Sequence, residues 1–588
     1  MACDDRFLIG YPLMTNTRLF FLSGLAAAFG AALTSSSNSA PQQAPPPTHP
    51  VAGRSVVSTQ LGIVAASHPL AARAGVAMLE RGGNAVDAAI AANAAMGLME
   101  PAMNGIGGDL FVIYYEAKSG KTYGLNSGGW APSSLTPRFL QEKGHTGMPG
   151  SGIYSVTVPG AVAGWDELRG RFGTKPFSEL LAPAIYYAEN GFPVSEVIGT
   201  EWVDYVGYLS QHPNTAKTFL VNGRAPRIGE IFRNPDLAKS LRLIAAQGRD
   251  GFYKGATAQA ILQLSKELGG TMTAADLAEF KPEWVTPITT TYRGWTVSEL
   301  PPNTTGIAAL MMLNMMEQFP LKEWGFHSAR SLHVMIEAKE LAYADLVRFI
   351  GDPGFSELPV DRLVSKAHGA ERAKLIDMKK AACNVQPAQI PGYTNSQGND
   401  TIYLSAIDKD GNIVSLIQSN YSGFGSGLVP PGAGFVLHNR GALFTLQPNH
   451  PNTLAPRKRP LHTIIPAFMK KDGVHIGFGI MGGFNQPQAH AQFIANIADY
   501  GFNIQEALEA GRFTKPTFQG CGVAIEQLVP EEVIRELTTL GHDVNVVEPR
   551  TGVFGWGQAV MSDGTGVHHG ASEPRHDGAA IPQFPAVF

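Results

Sequence analysis

The segment from Asn84 to Met99 restricts the fold of this chain more than any other feature. It is rich in alanine and apolar nearly all round, so a helix formed here has no polar face to present to water. The segment before it, His68 to Arg81, also has helical spacing, with Pro69 suited to an early turn and a glycine pair at its end. A short apolar strand, Ile63 to Ala66, precedes both. We therefore predict buried helices packed on sheets in a layered α/β protein.

The composition agrees with a large, loop-rich globular chain. It has 588 residues, of which 44% are hydrophobic and 16% charged, with 66 glycines and 41 prolines. The formal net charge is only -4, and no basic stripe indicates a nucleic-acid partner. No histidine or cysteine spacing resembles a zinc site, so we predict no metal. The threonine chemistry described below requires no organic cofactor either.

The N-terminal region is predicted to lie outside the fold. Arg18 precedes an apolar run that is too short to span a bilayer comfortably, and small residues follow it. We interpret residues 1–40 as a signal peptide and residues 41–55 as a proline-rich linker. An uncleaved membrane anchor is the alternative. The signal predicts a periplasmic or secreted protein without stable membrane insertion once the signal is removed.

The chain has three cysteines, Cys3, Cys383 and Cys521. These are too few for a disulfide framework. A Cys383–Cys521 bridge would form in an oxidising compartment, but two free thiols are the simpler expectation.

Further elements follow from hydrophobic patterns and turn residues. Residues 385–400 are polar and rich in turn formers, which predicts an exposed loop, and a hairpin should start directly after it. The predicted segments are strands Leu110–Tyr115, Thr401–Asp408, Asn412–Ser419, Gly434–Leu437 and Val474–Gly477, and helices His333–Ile350 and Pro487–Asp499.

The run from Gly477 to Gly482 matches G-x-G-x-x-G between a strand and a helix. A dinucleotide site also needs a βαβ unit and an acidic residue at the end of its next strand. Asp499 has about the right spacing, but it ends the helix itself. We instead predict that Gly482 and Gly483 bring backbone N–H groups to an anionic centre, although a plain strand–helix turn would also explain the glycines.

Thr401 stands at a loop–strand junction, directly after Asp400. A threonine that begins a chain can use its own α-amine as the base, because that amine titrates far below lysine. Such a catalyst needs a cleavable segment before the threonine and an oxyanion hole from elsewhere. Residues 385–400 and the pair Gly482-Gly483 supply both, but by pattern alone the case is weak.

Several motifs in order resemble the γ-glutamyltransferase (glutathione hydrolase) family of N-terminal nucleophile hydrolases, from Gly62 to the C-terminus. The resemblance implies a four-layer αββα fold and a proenzyme cut between Asp400 and Thr401. The large chain would then run over 56–400 and the small chain over 401–588, together forming one unit. The motifs are Gly82-Gly83-Asn84-Ala85-Val86-Asp87-Ala88-Ala89, Gly105-Ile106-Gly107-Gly108, Asp400-Thr401, Asp408-Lys409-Asp410-Gly411-Asn412, Phe424-Gly425-Ser426-Gly427, Arg459-Pro460-Leu461 and Met481-Gly482-Gly483.

The resemblance also assigns roles. It makes Thr401 the nucleophile, Gly482 and Gly483 the oxyanion donors, and Asn420 a ligand for the α-amino end of the substrate. The product of the first step would be a γ-glutamyl ester of Thr401, resolved by water or an amino acid.

The rest of the implied glutamyl pocket departs from the family. Gly128 stands where the family has its carboxylate-binding arginine, and His462-Thr463 where it has two serines. Arg440 and Leu443 replace the glutamine and aspartate that hold the amine, and Gln418 replaces a threonine that supports the nucleophile. Arg440, His462 and Thr463 are therefore candidate substrate-binding residues, with a surface or merely structural Arg440 as the alternative.

The predicted activity is hydrolysis of γ-glutamyl or similar small-molecule amides. The loop Thr445–Arg457 looks shorter than the lid of the family's transpeptidases, so hydrolysis should outcompete transfer. The first alternative is an acylase or amidohydrolase acting on a glutaryl amide or on oxamate. An NAD-dependent enzyme and a non-catalytic binding protein are the remaining alternatives.

Overall fold

The fold is described from a computed structural model, which covers residues 53–388, 402–549 and 551–585. The predicted signal peptide, nearly all of the linker, and both residues of the predicted cut, Asp400 and Thr401, lie outside the described residues.

Two seven-stranded sheets form the centre of the molecule. All strand pairs within both sheets are antiparallel. In spatial order, the first sheet has β1 (Val57–Thr59), β18 (His568–Ser572), β17 (Gly557–Ser562), β13 (Val474–Ile480), β12 (Ala467–Lys471), β9 (Trp295–Glu299) and β8 (Ile288–Tyr292). The second has β19 (Ala579–Pro582), β2 (Ile63–Ala66), β10 (Ile402–Ile407), β11 (Ile413–Ser419), β3 (Asp109–Glu116), β4 (Lys121–Ser127) and β7 (Glu283–Val285).

The two sheets pack face to face through a continuous apolar interior. Ile63, Phe111 and Tyr403 of the second sheet share this cluster with Phe468 and Val560 of the first. Side chains of successive strand residues alternate between faces, so each sheet turns its other face towards helices.

Helices cover both outer faces, which confirms the predicted four-layer αββα arrangement. Helices α1 and α2 share an apolar core with the second sheet, and α14, α16 and α19 share one with the first. The helices are α1 (Pro69–Glu80), α2 (Ala85–Met99), α3 (Pro137–Glu142), α4 (Ala161–Phe172), α5 (Phe177–Leu180), α6 (Ala182–Asn190), α7 (Glu196–Asp204), α8 (Val206–Leu209), α9 (Pro213–Phe219), α10 (Pro235–Gln247), α11 (Asp250–Tyr253), α12 (Ala256–Glu267), α13 (Ala274–Ala278), α14 (Gly306–Met316), α15 (Leu321–Trp324), α16 (Ala329–Phe349), α17 (Val360–Leu363), α18 (Lys366–Ala373), α19 (Gln486–Ala498), α20 (Ile504–Glu509) and α21 (Glu531–Thr539).

Helix α2 is buried along nearly its whole length, as its composition predicts. Asn84 caps its first turn, and the carboxylate of Asp87 accepts a hydrogen bond from the Asn84 backbone N–H, so the two residues form a capping box. The alanines let α1 and α2 approach each other closely: a Cβ on Gly75 would lie 2.7 Å from the Ala88 carbonyl oxygen.

The predicted strand Gly434–Leu437 is wrong. The segment is a buried loop whose apolar side chains fill the core, while its backbone pairs with no strand. Gly432 and Gly434 have positive φ angles, which break an extended run. The other predicted segments correspond to strands or helices within a few residues, except that Thr401 itself is not described.

The second correction concerns two cysteines beside a small three-stranded sheet. The sheet consists of β14 (Phe513–Thr514), β15 (Gly522–Glu526) and β16 (Asp543–Val547), and a separate pair is formed by β5 (Phe192–Pro193) and β6 (Ile231–Phe232). Beside the three-stranded sheet, Cys383 and Cys521 form a disulfide, so the expectation of two free thiols is wrong. Their spacing of 138 residues gave no local signal of the contact.

No helix within the described ranges combines the length and the apolar character needed to cross a membrane.

Candidate active site

The strand register gathers the predicted site residues at one end of the second sheet. Ile402, the first residue of β10, pairs with Gln418 near the end of β11. Ser419, which ends β11, pairs with Asp109 at the start of β3. Asn420 follows directly. Thr401 precedes Ile402 in the chain, but its own position lies outside the described residues.

The glycine turn after β13 comes from the facing sheet. Gly479 packs directly on the Tyr403 ring of β10, since a Cβ there would lie 2.4 Å from Cδ2 of that ring. Three residues later, Gly482 and Gly483 have φ angles of 116° and 59°, which a side chain would strain. Among the described residues, neither N–H bonds to a side chain or to a turn or loop carbonyl. Gly482 and Gly483 are therefore candidate backbone donors.

The same glycines explain the G-x-G-x-x-G match. Gly477 faces Ile413 across the sheet interface, where a Cβ would lie 2.5 Å from the Ile413 side chain. The strand that carries the motif has antiparallel neighbours on both sides, whereas a dinucleotide site requires a parallel βαβ unit. Asp499 bonds to the Tyr292 hydroxyl and to Arg293. The motif thus serves sheet packing and the turn, and its geometry differs from that of a dinucleotide site.

A buried carboxylate, Asp109, is the centre of a polar cluster beside this strand end. Nε2 of His462 lies 2.8 Å from its Oδ2, and Nδ1 of His438 lies 3.1 Å from the same oxygen. Nε of Arg440 lies 3.6 Å from that oxygen, and the Gly129 N–H donates to Oδ1 at 2.8 Å. The aspartate and all three basic side chains are inaccessible to solvent.

The protonation states of the cluster follow from burial and charge. Burial alone would raise the pKa of Asp109, but the charge of His438 and the hydrogen bonds of His438 and His462 hold it well below its usual range. Burial, together with the charge of Arg440, lowers the pKa of His462 to about 3. His462 is therefore neutral at physiological pH, and the negative charge of Asp109 lies beside His438 and Arg440.

Arg440 is not a surface residue, although the sequence left that interpretation open. It lies in a short 3-10 turn over residues 440–443, and its Nη1 donates to Oγ1 of Thr463 at 2.8 Å. Its guanidinium stacks on the Tyr421 ring at 4.6 Å. Three of the predicted substrate-binding residues, Arg440, His462 and Thr463, thus lie together and contact one another or Asp109.

Gly128, at the position of the family's carboxylate-binding arginine, has no room for a side chain. A Cβ there would lie 2.9 Å from Cζ of Phe111 and 3.3 Å from Cδ2 of His462. The rings of Phe111 and His462 pack edge to face, with their centroids 4.5 Å apart. Aromatic rings therefore take up the space that an arginine would need.

Asn420 and Gln418 differ in whether their side-chain oxygen already has a hydrogen-bond donor. Gln418 accepts from Asn93 at 2.9 Å and donates to the Gly105 carbonyl at 2.9 Å, so it joins β11 to the helix side of the sheet. Asn420 donates to the Pro101 carbonyl at 3.1 Å, while its Oδ1 is buried and has no hydrogen-bond donor among the described residues. The Asn420 oxygen is thus an acceptor that a ligand can use.

The described residues contain one compact group of metal-ligand type, His333, Glu337 and His542. Both ring nitrogens of His333 already have partners, His542 at 2.8 Å and the Asp377 carbonyl at 3.0 Å. Glu337 accepts from the Ala382 N–H. The hydrogen bonds account for the group without an ion.

Two residues of the cluster, Asp109 and His438, were not predicted as site residues. Asp109 is the one acid that opens an otherwise apolar strand directly after Gly107-Gly108, and this placement was the available signal. His438 directly follows the segment Gly434–Leu437 that was wrongly predicted as a strand, and nothing in the local pattern marks it.

Comparisons with known proteins agree with this geometry. The family model described as Gamma-glutamyltranspeptidase matches residues 71–583. A crystal structure of cephalosporin acylase from Bacillus halodurans is 40% identical, with a TM-score of 0.85 over 92% of this chain and 99% of the other. The Glutathione hydrolase-like YwrD proenzyme of Bacillus subtilis (strain 168) is 36% identical over 90% of this chain and 99% of its own length. The Glutathione hydrolase proenzyme of Escherichia coli (strain K12) is 33% identical over 88% and 91%.

Proposed function

This chain belongs to the gamma-glutamyltranspeptidase family and is an autoprocessed amide hydrolase of the N-terminal nucleophile class, in which we propose that Thr401 is the nucleophile. The cut between Asp400 and Thr401 would free the α-amine that serves as base. Thr401 Oγ then attacks the amide carbonyl, and the α-amine takes the proton and returns it to the leaving amine. Water resolves the acyl-enzyme, and no cofactor takes part.

Gly482 and Gly483 are proposed to stabilise the tetrahedral oxyanion. Preorganised backbone N–H groups are suited to this task because they need no reorganisation as the charge develops. The positive φ angles of both glycines, and the close contact of Gly479 with Tyr403, support this role. Tyr403, which Gly479 contacts, follows the proposed nucleophile by two residues in the sequence.

We propose that the acyl donor is not a γ-glutamyl group but an amide without the free α-amino acid head. The observation that carries this proposal is the packing of the site: the rings of Phe111 and His462 take up the space at Gly128, and Arg440 faces Asp109 at 3.6 Å. A γ-glutamyl head brings one carboxylate and one ammonium, and each needs a charged partner when it leaves water. Gly128 and Leu443 provide no such partner.

A glutathione hydrolase is the second candidate function. The unsatisfied Oδ1 of Asn420 favours it, because that oxygen can accept a hydrogen bond from a substrate amine. The names of two relatives given above also favour it. The acylase named among the solved structures favours the first candidate.

Hydrolysis is proposed to exceed transfer to an amine acceptor. The loop Thr445–Arg457 is held to the segments on either side of it, since Asn452 donates to the Leu443 carbonyl at 2.6 Å and accepts from the Leu461 N–H at 2.8 Å. A short loop held in this way leaves water free access to the acyl-enzyme.

We further propose a periplasmic or secreted location. Disulfides persist in oxidising compartments and are rare in the cytosol, so the Cys383–Cys521 disulfide supports export. The only stable partner proposed is the other chain of the same precursor.

Purified protein tests these proposals in two steps. Reducing gel electrophoresis and N-terminal sequencing should give a small chain of 188 residues (588 − 400) that begins at Thr401. The processed enzyme is then assayed with γ-glutamyl-4-nitroanilide, glutathione, a glutaryl amide and oxamate. We expect at least about tenfold higher kcat/KM on a substrate without the amino acid head, since a site lacking the required partners discriminates strongly.

The Thr401→Ala variant is the control and should stay uncut and inactive. Preferential cleavage of glutathione would overturn the acyl-donor proposal and leave the second candidate. An uncut wild-type chain would overturn the role of Thr401. Addition of an acceptor dipeptide should change the rate of acyl release little.

A further inference from the structure

The Cys383–Cys521 disulfide joins a cysteine that precedes the proposed cut to one that follows it. Cys383 precedes Asp400 by 17 residues, and Cys521 belongs to the segment that follows Thr401. We propose that autoprocessing turns this intrachain disulfide into a covalent link between the two mature chains. The inference rests on the proposed function, because the cut must lie between the two cysteines.

The residues around Cys383 form an arm, residues 377–388, that runs along α16. His333 bonds to the Asp377 carbonyl at 3.0 Å, and Glu337, one helical turn later, accepts from the Ala382 N–H. Further along the same helix, Asp345 accepts from the Ala388 N–H at 2.6 Å. All three contacts lie within the proposed large chain.

The arm also contacts the proposed small chain. The Ala381 N–H donates to the Leu540 carbonyl at 2.7 Å, and the Gly520 N–H donates to the Cys383 carbonyl at 2.5 Å. The Asp543 N–H donates to the Cys521 carbonyl at 3.0 Å, which fixes the other cysteine to β16. The disulfide therefore fastens the last described part of the large chain to the three-stranded sheet of the small chain.

The consequence is that the mature enzyme cannot separate into its chains by dilution. Before the cut, the disulfide closes a loop in one chain and limits the freedom of the unfolded state. After the cut, the same bond makes the association of the two chains intramolecular, so their effective concentration no longer depends on the amount of protein.

The bond forms when a protein disulfide donor accepts the two electrons of the two thiols, which release two protons.

Gel electrophoresis of the full chain tests the inference directly. Protein made by export is treated with iodoacetamide, which prevents thiol exchange, and is run with and without dithiothreitol. We expect one band without reductant and two with it. Dithiothreitol reduces the disulfide and is itself oxidised to a cyclic disulfide.

Matched variants distinguish the outcomes. Cys383→Ser and Cys521→Ser should each give two bands without reductant, whereas Cys3→Ser should behave as the wild type. Wild-type protein that shows two bands without reductant would overturn the inference. A single band in the presence of reductant would instead overturn the proposed cut.

Activity in mild urea gives a second readout. The processed wild-type enzyme should lose the same fraction of its activity at every protein concentration. At the lowest protein concentration, Cys383→Ser should lose at least about threefold more of its activity than the wild type, because its two chains can dissociate. Equal behaviour of the two proteins would show that the arm holds the chains together without the disulfide, and would overturn its proposed consequence.

Discussion

Nε2 of His462 lies 2.8 Å from Oδ2 of Asp109, and neither side chain has any exposed surface. Nδ1 of the same histidine accepts from the Ile464 N–H at 3.4 Å, which places its proton on Nε2. Asp109 is thus the acceptor that orients His462, and it also faces Arg440 at 3.6 Å. The contact joins the start of β3 to the segment before β12, across the two sheets.

Asp109→Asn should destabilise the protein by about 3–5 kcal/mol, because it removes the buried negative charge that faces His438, Arg440 and His462. It should also lower activity, since His462 and Arg440 lose their fixed orientation. Urea unfolding followed by far-UV circular dichroism measures the first effect, and steady-state assays of the processed fraction measure the second.

Asp410→Asn is the matched control. Asp410 pairs with Lys409 at 2.8 Å, but the two side chains are 67% and 63% exposed. An exposed pair contributes less than about 1 kcal/mol. Similar losses in the two variants would contradict the assigned role of the Asp109 cluster.

The fold was largely predictable because its signals are local. The all-round apolar sequence of α2 and its Asn84 cap determine a buried helix without reference to the rest of the chain. The segment Gly434–Leu437 misled because burial alone does not distinguish a strand from a buried loop. Positive φ angles at glycines and the absence of a strand partner become apparent only in three dimensions.

Gly482→Ala should lower kcat by about 10²–10³-fold, the usual cost of losing an oxyanion donor. The added Cβ would lie 3.2 Å from Cβ of Asn485 and 3.3 Å from Cα of Gly555, at a φ of 116° that alanine rarely adopts. The turn must therefore shift. Single-turnover assays and the rate of autoprocessing both report the effect.

Gly501→Ala provides the comparison, since Gly501 also has a positive φ, of 75°, but has open space around it. It should cost about 1 kcal/mol of stability from backbone strain and leave kcat within about twofold. If both variants lose activity equally, strain and not the donor position of Gly482 explains the loss.

The candidate site was predictable only in part. Gly482 and Gly483 belong to a recognisable sequence motif, and the positive φ angles at both positions favour glycine. The local sequence therefore indicates these two residues. Asp109 and His462 are 353 residues apart, and neither has a neighbour in sequence that indicates the other. Non-local pairs of this kind depend on the sheet register, which no local pattern determines.

Gly128→Ala should destabilise the protein by about 1–3 kcal/mol through overpacking against Phe111. Phe111→Leu removes the ring that a Cβ at position 128 would meet, so the double variant should be more stable than the sum of the single effects predicts. Thermal unfolding of all four proteins gives the coupling energy. Gly147→Ala, at an exposed glycine with open space, is the control and should change little. Strict additivity would show that Phe111 does not limit the space at Gly128.

Glu100 makes the stability of the fold depend on pH, and a single substitution can test this contribution. Burial raises the pKa of its carboxyl from 4.5 to about 8, although a hydrogen bond from the Ser67 hydroxyl at 2.7 Å opposes the rise. In the unfolded chain the group loses its proton near pH 4.5, while in the folded chain it keeps the proton until about pH 8. The contribution of Glu100 to the free energy of unfolding is therefore fully present below pH 4.5. It is lost as the pH rises to about 8.

Glu100→Gln should remove this loss, because the amide keeps an acceptor for Ser67 and carries no charge. Relative to the wild type, it should gain stability on the order of 1–3 kcal/mol between pH 5 and pH 9. Urea unfolding at both pH values measures the difference. Glu142→Gln, which alters a 61% exposed side chain paired with Arg138, should show no such gain. A parallel shift in both variants would mean that Glu100 ionises in the folded protein near its ordinary pKa.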